Sequence, residues 1–240
     1  YLLSSLSGFL NEKKRREASF LKKRFPETAF PVLHADCAQS PLYLDAGPHT
    51  LMADIASYDA QKIMGPKGVG VLYRDFSIAL APVFGGGSQE RNLRPGTENT
   101  PGALAAAVAF THAHRERKNR SERVAGLRDH LIARIRENTP EAVLIGHAKK
   151  RIANNAYFAI PGIDGDYLSV LMDKEGVAVT PRSACVGTGG GRSEVVFAIT
   201  RDESLARGTI RFSLGPYTTK RDVEKATVAL EASLRVARAA

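Results

Sequence analysis

Tryptophan is absent from this 240-residue chain, and cysteine nearly so, with only Cys37 and Cys185, far apart. Two isolated thiols make neither a disulfide framework nor a structural zinc site, so a reducing, cytoplasmic setting is expected. Each thiol is then either inert core or a nucleophile. Long apolar runs are missing too, and nothing approaches the roughly 18 residues that a membrane-crossing helix needs. The opening YLLSSLSGFL is apolar but lacks a basic leader and a cleavage motif, which argues against a secretory signal. The first residue is Tyr1, not Met, so further residues are expected upstream. Internal repeats and low-complexity tracts are lacking as well.

Charge is plentiful and lopsided: 34 Lys and Arg against 25 acids give a net +9. That excess is compatible with nucleic acid or with an anionic ligand. Much of it falls in NEKKRREASFLKKRF and HRERKNRSERVAGLRDHLIARIR, which mix acids among the bases and space their apolar residues helically. Solvated helices explain both segments better than a nucleic-acid surface does. No zinc-finger or RNA-binding signature accompanies them.

The chain is long enough for one large domain or two smaller ones. Leu2, Leu3, Leu6, Phe9 and Leu10 share a helical face, and Pro26 closes that segment. FPVLHAD, LMADIAS and VGVLYRD read as three short strands. ALAAAVAFTHAHRERK and ERVAGLRDHLIARIRE read as two helices, with Thr100 and Pro101 at the start of the first. Beyond about residue 116, AVLIG, NNAYFAI, VAVT and GTIRFSL read as strands. DGDYLSVLMDKEG, stopped by Gly176, and SEVVFAIT read as helices. The last helix begins at Thr219 with Asp222 three residues on, and Val223, Thr227, Leu230 and Leu234 mark its buried face. Strands alternating with helices predict α/β for the first half and α+β for the second.

Five motifs stand in order: HADCAQ, DAQKIMGPKG, GGGSQERNLRPGTEN, SAC and TIRFSLG. In sequence and rough spacing they resemble the cysteine desulfurases of the class V aminotransferase family, which use pyridoxal 5'-phosphate. The SAC form resembles the iron–sulfur-assembly branch. The resemblance implies an α/β fold: residues 1–116 as the C-terminal portion of a fold-type-I large cofactor-binding domain, and 117–240 as a smaller α+β domain carrying the persulfide cysteine loop. It also implies L-cysteine as substrate, a homodimer, and sulfur-acceptor or scaffold proteins as partners, with no direct nucleic acid and no membrane.

Residue by residue, Lys62 matches the lysine that links to the cofactor and moves protons at the substrate α-carbon. Taken singly it would pass for a surface lysine. Asp36 matches the carboxylate facing the pyridine nitrogen, and Gln39 the residue near the ring's phenolic oxygen. Asp36 ends a strand, where ligands of open α/β sheets gather; a turn or cap is its plain alternative. Thr97 matches a phosphate-contacting threonine supplied across the dimer, with Arg91 and Arg94 adding positive field. Arg211 matches the arginine that grips the substrate carboxylate through its planar fork. Cys185 matches the cysteine that takes sulfur, set in a glycine-rich loop. It is expected to ligate no resident metal, though it could transiently ligate an iron–sulfur cluster. Arg182, three residues earlier, offers a charge that would enlarge its thiolate fraction. Cys37 is expected to be buried and inert.

The chain also departs from the family. The family commonly writes serine, a small residue, histidine, lysine; here Asp59, Ala60, Gln61 and Lys62 stand. The amide of Gln61 can serve a phosphate. A carboxylate about 4 Å from one would cost on the order of 4 kcal/mol at an intermediate dielectric. Asp59 is therefore expected to turn away from the phosphate, as a cap or toward a nearby base. The family's N-terminal histidine, glycine/threonine turn and asparagine have no match, so the chain reads as a C-terminal part of such an enzyme. A selenocysteine lyase or other class V enzyme, or a non-catalytic dimerisation module, are the alternatives.

Overall fold

The computed structural model describes residues 32–182 and 191–239. The chain divides into two compact units between Lys118 and Asn119. The opening helix expected around Leu2 to Leu10 and the loop of Cys185 lie outside the described residues.

In the first unit a three-stranded sheet has the order β1 (His34–Asp36), β2 (Ile55–Asp59), β3 (Gly70–Arg74). β1 and β2 run parallel, with Asp36 opposite Ser57; β3 runs antiparallel to β2. Alternation puts Ala35, Cys37, Ala56 and Tyr58 on one face, and these pack with Ala46 and Ala53 into a core of small side chains. His34, Asp36, Ser57 and Asp59 share the other face. The strand expected in LMADIAS starts later, at Ile55. Pro48, pre-set for a helix start, opens one helical turn (Pro48–Leu51), and Met52 ends it in a left-handed conformation, φ 50.

The two helices expected between residues 103 and 137 are one, α1 (Thr100–Asn138). Between them stand only Asn119, Arg120 and Ser121, and a solvated serine does not stop a helix. Gly126 costs about 1 kcal/mol relative to alanine and is likewise tolerated.

The second unit holds an antiparallel sheet of order β4 (Val143–Leu144), β5 (Asn155–Ala159), β6 (Thr209–Ser213). Around it lie α2 (Gly165–Lys174), α3 (Glu194–Thr200), α4 (Glu203–Arg207) and α5 (Lys220–Ala239). α4 had no sequence expectation, whereas the strand expected at VAVT is no strand. Among the described residues that stretch forms only a single bridge, Thr180 to Arg211. Ala156 and Phe158 of β5 and Ile210 and Phe212 of β6 are buried on one sheet face. Tyr157 and Arg211 sit opposite each other on the other. α5 buries Val223, Thr227, Leu230 and Leu234 as its spacing predicts, and Thr219 and Asp222 cap each other at its start.

Candidate active site

Parallel strands send their carboxyl ends to one edge of a sheet, and at that edge β1 and β2 deliver two of the sequence-predicted residues. Asp36 is the last residue of β1. Lys62 is the middle residue of a single 3-10 turn, Gln61–Ile63, which follows β2 after Ala60. Buried Ile63 and buried Ala60 pin that turn to the core while Gln61 and Lys62 stay exposed. Gly65 closes it: its N–H bonds the Ala60 carbonyl at 2.7 Å, and an added Cβ would meet that oxygen at 2.8 Å. Gln39, also exposed, precedes the turn Ser40–Leu42 just past β1 without a side-chain capping bond. Asp36 Oδ1 accepts the Ala38 N–H at 3.0 Å, which fixes the carboxylate at the strand end.

Asp59 behaves as a cap. Its Oδ1 accepts the Gln61 N–H at 3.0 Å, and its Oδ2 stands 4.0 Å from Lys62 Nζ. Both side chains are well exposed, 48% for Lys62 and 38% for Asp59, so this pair contributes less than about 1 kcal/mol.

Behind that edge the chemistry is quiet. Cys37 is 1% exposed, and burial followed by the charge of Asp36 pushes its thiol up. Tyr58 donates to the Ala46 carbonyl at 2.7 Å, and burial, then Cys37 and Tyr73, push its hydroxyl up to about 12. An apolar groove of about 470 Å³, lined by Tyr58, Val71, Tyr73 and Phe110, lies on this opposite face. None of the sequence-predicted site residues lines it.

Thr97 lies exposed on the stretch before α1. Glu90, Arg91 and Asn92 take consecutive left-handed conformations (φ 48, 59 and 63), and Arg94 stacks 5.7 Å from the Phe84 ring. The GGGSQERN stretch is thus a shaped turn, built without buried side chains.

In the second unit Arg211 occupies the centre of β6. Its backbone bonds Thr180 in both directions, N–H to the Thr180 carbonyl at 2.7 Å and carbonyl from the Thr180 N–H at 3.2 Å. Among the described residues its Nε is buried without a partner. A buried guanidinium N–H without an acceptor costs about 1–3 kcal/mol. Cys185 lies outside the described residues.

Arg182, read from sequence as a charge for the thiol, has its guanidinium bonded to two described neighbours. Nη2 donates to Asp166 Oδ1 at 2.8 Å and Nη1 to the Gly191 carbonyl at 2.6 Å. Asp166 escaped the sequence reading. Its only signal is an acid in the first turn of a helix whose cap is Asp164, and its partner is sixteen residues away.

Comparison with known proteins follows the same lines. The family described as Aminotransferase class-V matches residues 21–226. Cysteine desulfurase IscS of Dictyoglomus turgidum is 36% identical over 198 residues, covering 82% of this chain and 50% of that protein. Cysteine desulfurase NifS of Azotobacter vinelandii is 32% identical over 202 residues, covering 84% and 50%. A solved NifS-like protein superposes with a TM-score of 0.75 at 30% identity, covering 91% of this chain and 56% of that one. The chain therefore spans about half the length of the curated relatives it matches. Sequence motifs, the two sheets and these likenesses agree, and the chain belongs to the class V aminotransferase family.

Proposed function

We propose that this chain carries the lysine and the sulfur-accepting cysteine of a cytoplasmic, homodimeric cysteine desulfurase. It takes sulfur from L-cysteine, releases L-alanine and leaves a persulfide on Cys185 for acceptor proteins that serve iron–sulfur cluster assembly or tRNA thiolation. What supports this reading is that the parallel strands β1 and β2 run out at the same edge, β1 ending at the exposed Asp36 and β2 leading into the turn of the exposed Lys62.

That donor set fits pyridoxal 5'-phosphate. The bound group supplies an electron sink for bonds broken at the substrate's α- and β-carbons. Lys62 would hold it covalently and carry the α-proton. Asp36 would keep a proton on the ring nitrogen. The amides of Gln39 and Gln61 would donate to the ring oxygen and the phosphate, and Thr97 of a neighbouring copy would add a hydroxyl. Arg211 would grip the substrate carboxylate, with the Nε that has no partner among the described residues as one prong of the fork. The thiolate of Cys185 then attacks the substrate sulfur. A sulfur–sulfur bond forms as the carbon–sulfur bond breaks, and the electron pair stays with carbon, which is protonated on the way to alanine.

The test is alanine formation from L-cysteine by the intact protein with added cofactor. Alanine is expected from the native protein, and neither Lys62→Ala nor Cys185→Ser should produce it. Undiminished alanine from either variant would overturn the reading.

A further inference from the structure

Positions 183–190 are entered through Thr180–Arg182 and left through Gly191–Ser193, and both stretches are tied down. Arg182 joins them directly, through Nη1 to the Gly191 carbonyl at 2.6 Å, and joins both to α2 through Nη2 to Asp166 at 2.8 Å. The arginine is only 9% exposed. Tyr157 provides a second lace, its hydroxyl lying 3.0 Å from Ser193 Oγ and 3.4 Å from the Pro181 carbonyl. The Thr209 hydroxyl donates to that same carbonyl. Ser193 N–H donates to the Ala206 carbonyl at 2.7 Å. Entry and exit thus meet in a part-buried knot on the sheet face that carries Arg211, and one of its bonds joins full charges.

Two roles compete for Arg182. A free cation three residues from a thiol would favour the thiolate. An arginine in contact with a carboxylate presents nearly a dipole, whose field falls off faster than that of a lone charge. The contact with Asp166 favours the second description.

We propose that Arg182 is a positioning residue: with Asp166 it sets the spacing and direction of the two chain ends from which Cys185 works, and it does not tune the thiol. The consequence for turnover rests on reading Cys185 as the sulfur acceptor, whereas the knot itself does not.

The experiment compares Arg182→Met, Arg182→Lys, Asp166→Asn and the double variant Arg182→Met/Asp166→Asn in the full chain. Two readouts are taken: alkylation of Cys185 by iodoacetamide across pH, resolved from Cys37 by peptide mass, and kcat and KM for L-cysteine. Losing one charge-assisted bond should lower kcat roughly tenfold in Arg182→Met and Asp166→Asn alike. KM should hold, Arg182→Lys should fall between, and the double variant should be no worse than either single. The pH midpoint of alkylation should be the same in all, while its plateau rate shifts in one direction in both single variants.

A midpoint that rises in Arg182→Met and falls in Asp166→Asn would replace positioning with electrostatic tuning. Additive losses, or no change in either readout, would also overturn the proposal. If Arg182→Met does not fold, Asp166→Asn and Arg182→Lys carry the same comparison. A native protein that makes no alanine refutes the desulfurase reading, and the alkylation comparison still decides the knot.

Discussion

Replacing Arg211 with methionine should weaken substrate binding and strengthen the fold at the same time. The backbone of residue 211 keeps its bonds to Thr180 and its pairing with Tyr157 whatever the side chain, so β6 survives the change. The native side chain buries an Nε that has no partner among the described residues, at a cost of about 1–3 kcal/mol. Methionine removes that donor and fills a similar length with apolar atoms. A net gain of about 1 kcal/mol is expected, which raises Tm by roughly 2–4 °C for a chain of this size. Against that, on the proposed reading a substrate carboxylate held by two parallel charge-assisted bonds loses both. About 3 kcal/mol of substrate interaction disappears, or roughly a hundredfold in kcat/KM. Calorimetry or thermal fluorescence reads the first effect, and alanine formation against cysteine concentration reads the second. A lower Tm with an unchanged KM would mean that Arg211 is an ordinary strand arginine, and the assignment would fail.

Three further expectations concern the scaffold. Leu230→Ala, at a side chain 1% exposed on α5, should cost about 2–5 kcal/mol in denaturant unfolding; a loss below about 1 kcal/mol would mean that the helix is not seated as described. The bond from His130 at 2.5 Å, the largest cause, holds the Glu224 carboxyl below its ordinary 4.5. A lowered folded pKa stabilises above the unfolded value and fades as pH falls through the folded one, so native protein should exceed Glu224→Gln near neutrality and match it in acid. A stability gap unchanged into strong acid would refute this. Cys37, whose thiol is pushed up by burial, should resist alkylation until the protein unfolds. Because that folded pKa is raised, its contribution holds below the ordinary thiol range and is lost as pH rises past it. Stoichiometric labelling of Cys37 in native protein would contradict its burial.

The parts of this molecule written locally were legible. The period of Val223, Thr227, Leu230 and Leu234 marked a buried helix face, and the polar end of HADCAQ marked a strand terminus, because both signals lie within a turn or two of chain. What depends on distant partners was not legible. VAVT has the β-branched content of a strand, yet only Thr180 finds a bridge to β6. The basic stretch inside α1 reads as solvated helix, but as two helices instead of one, although nothing between residues 118 and 122 breaks a helix. Asp59 is the instructive middle case. The family resemblance together with electrostatics led to the expectation of a cap or a nearby base, and its carboxylate accepts the Gln61 N–H and stands 4.0 Å from Lys62. Asp166 carried no comparable hint, since its role exists only once α2 has packed beside the chain that leads to position 183.

The most direct measurement is to reduce the protein with borohydride in the presence of pyridoxal 5'-phosphate and map the added mass by peptide. The cofactor should be found on Lys62. Modification of Lys67, five residues on and also exposed, with Lys62 left free, would contradict the account at its root.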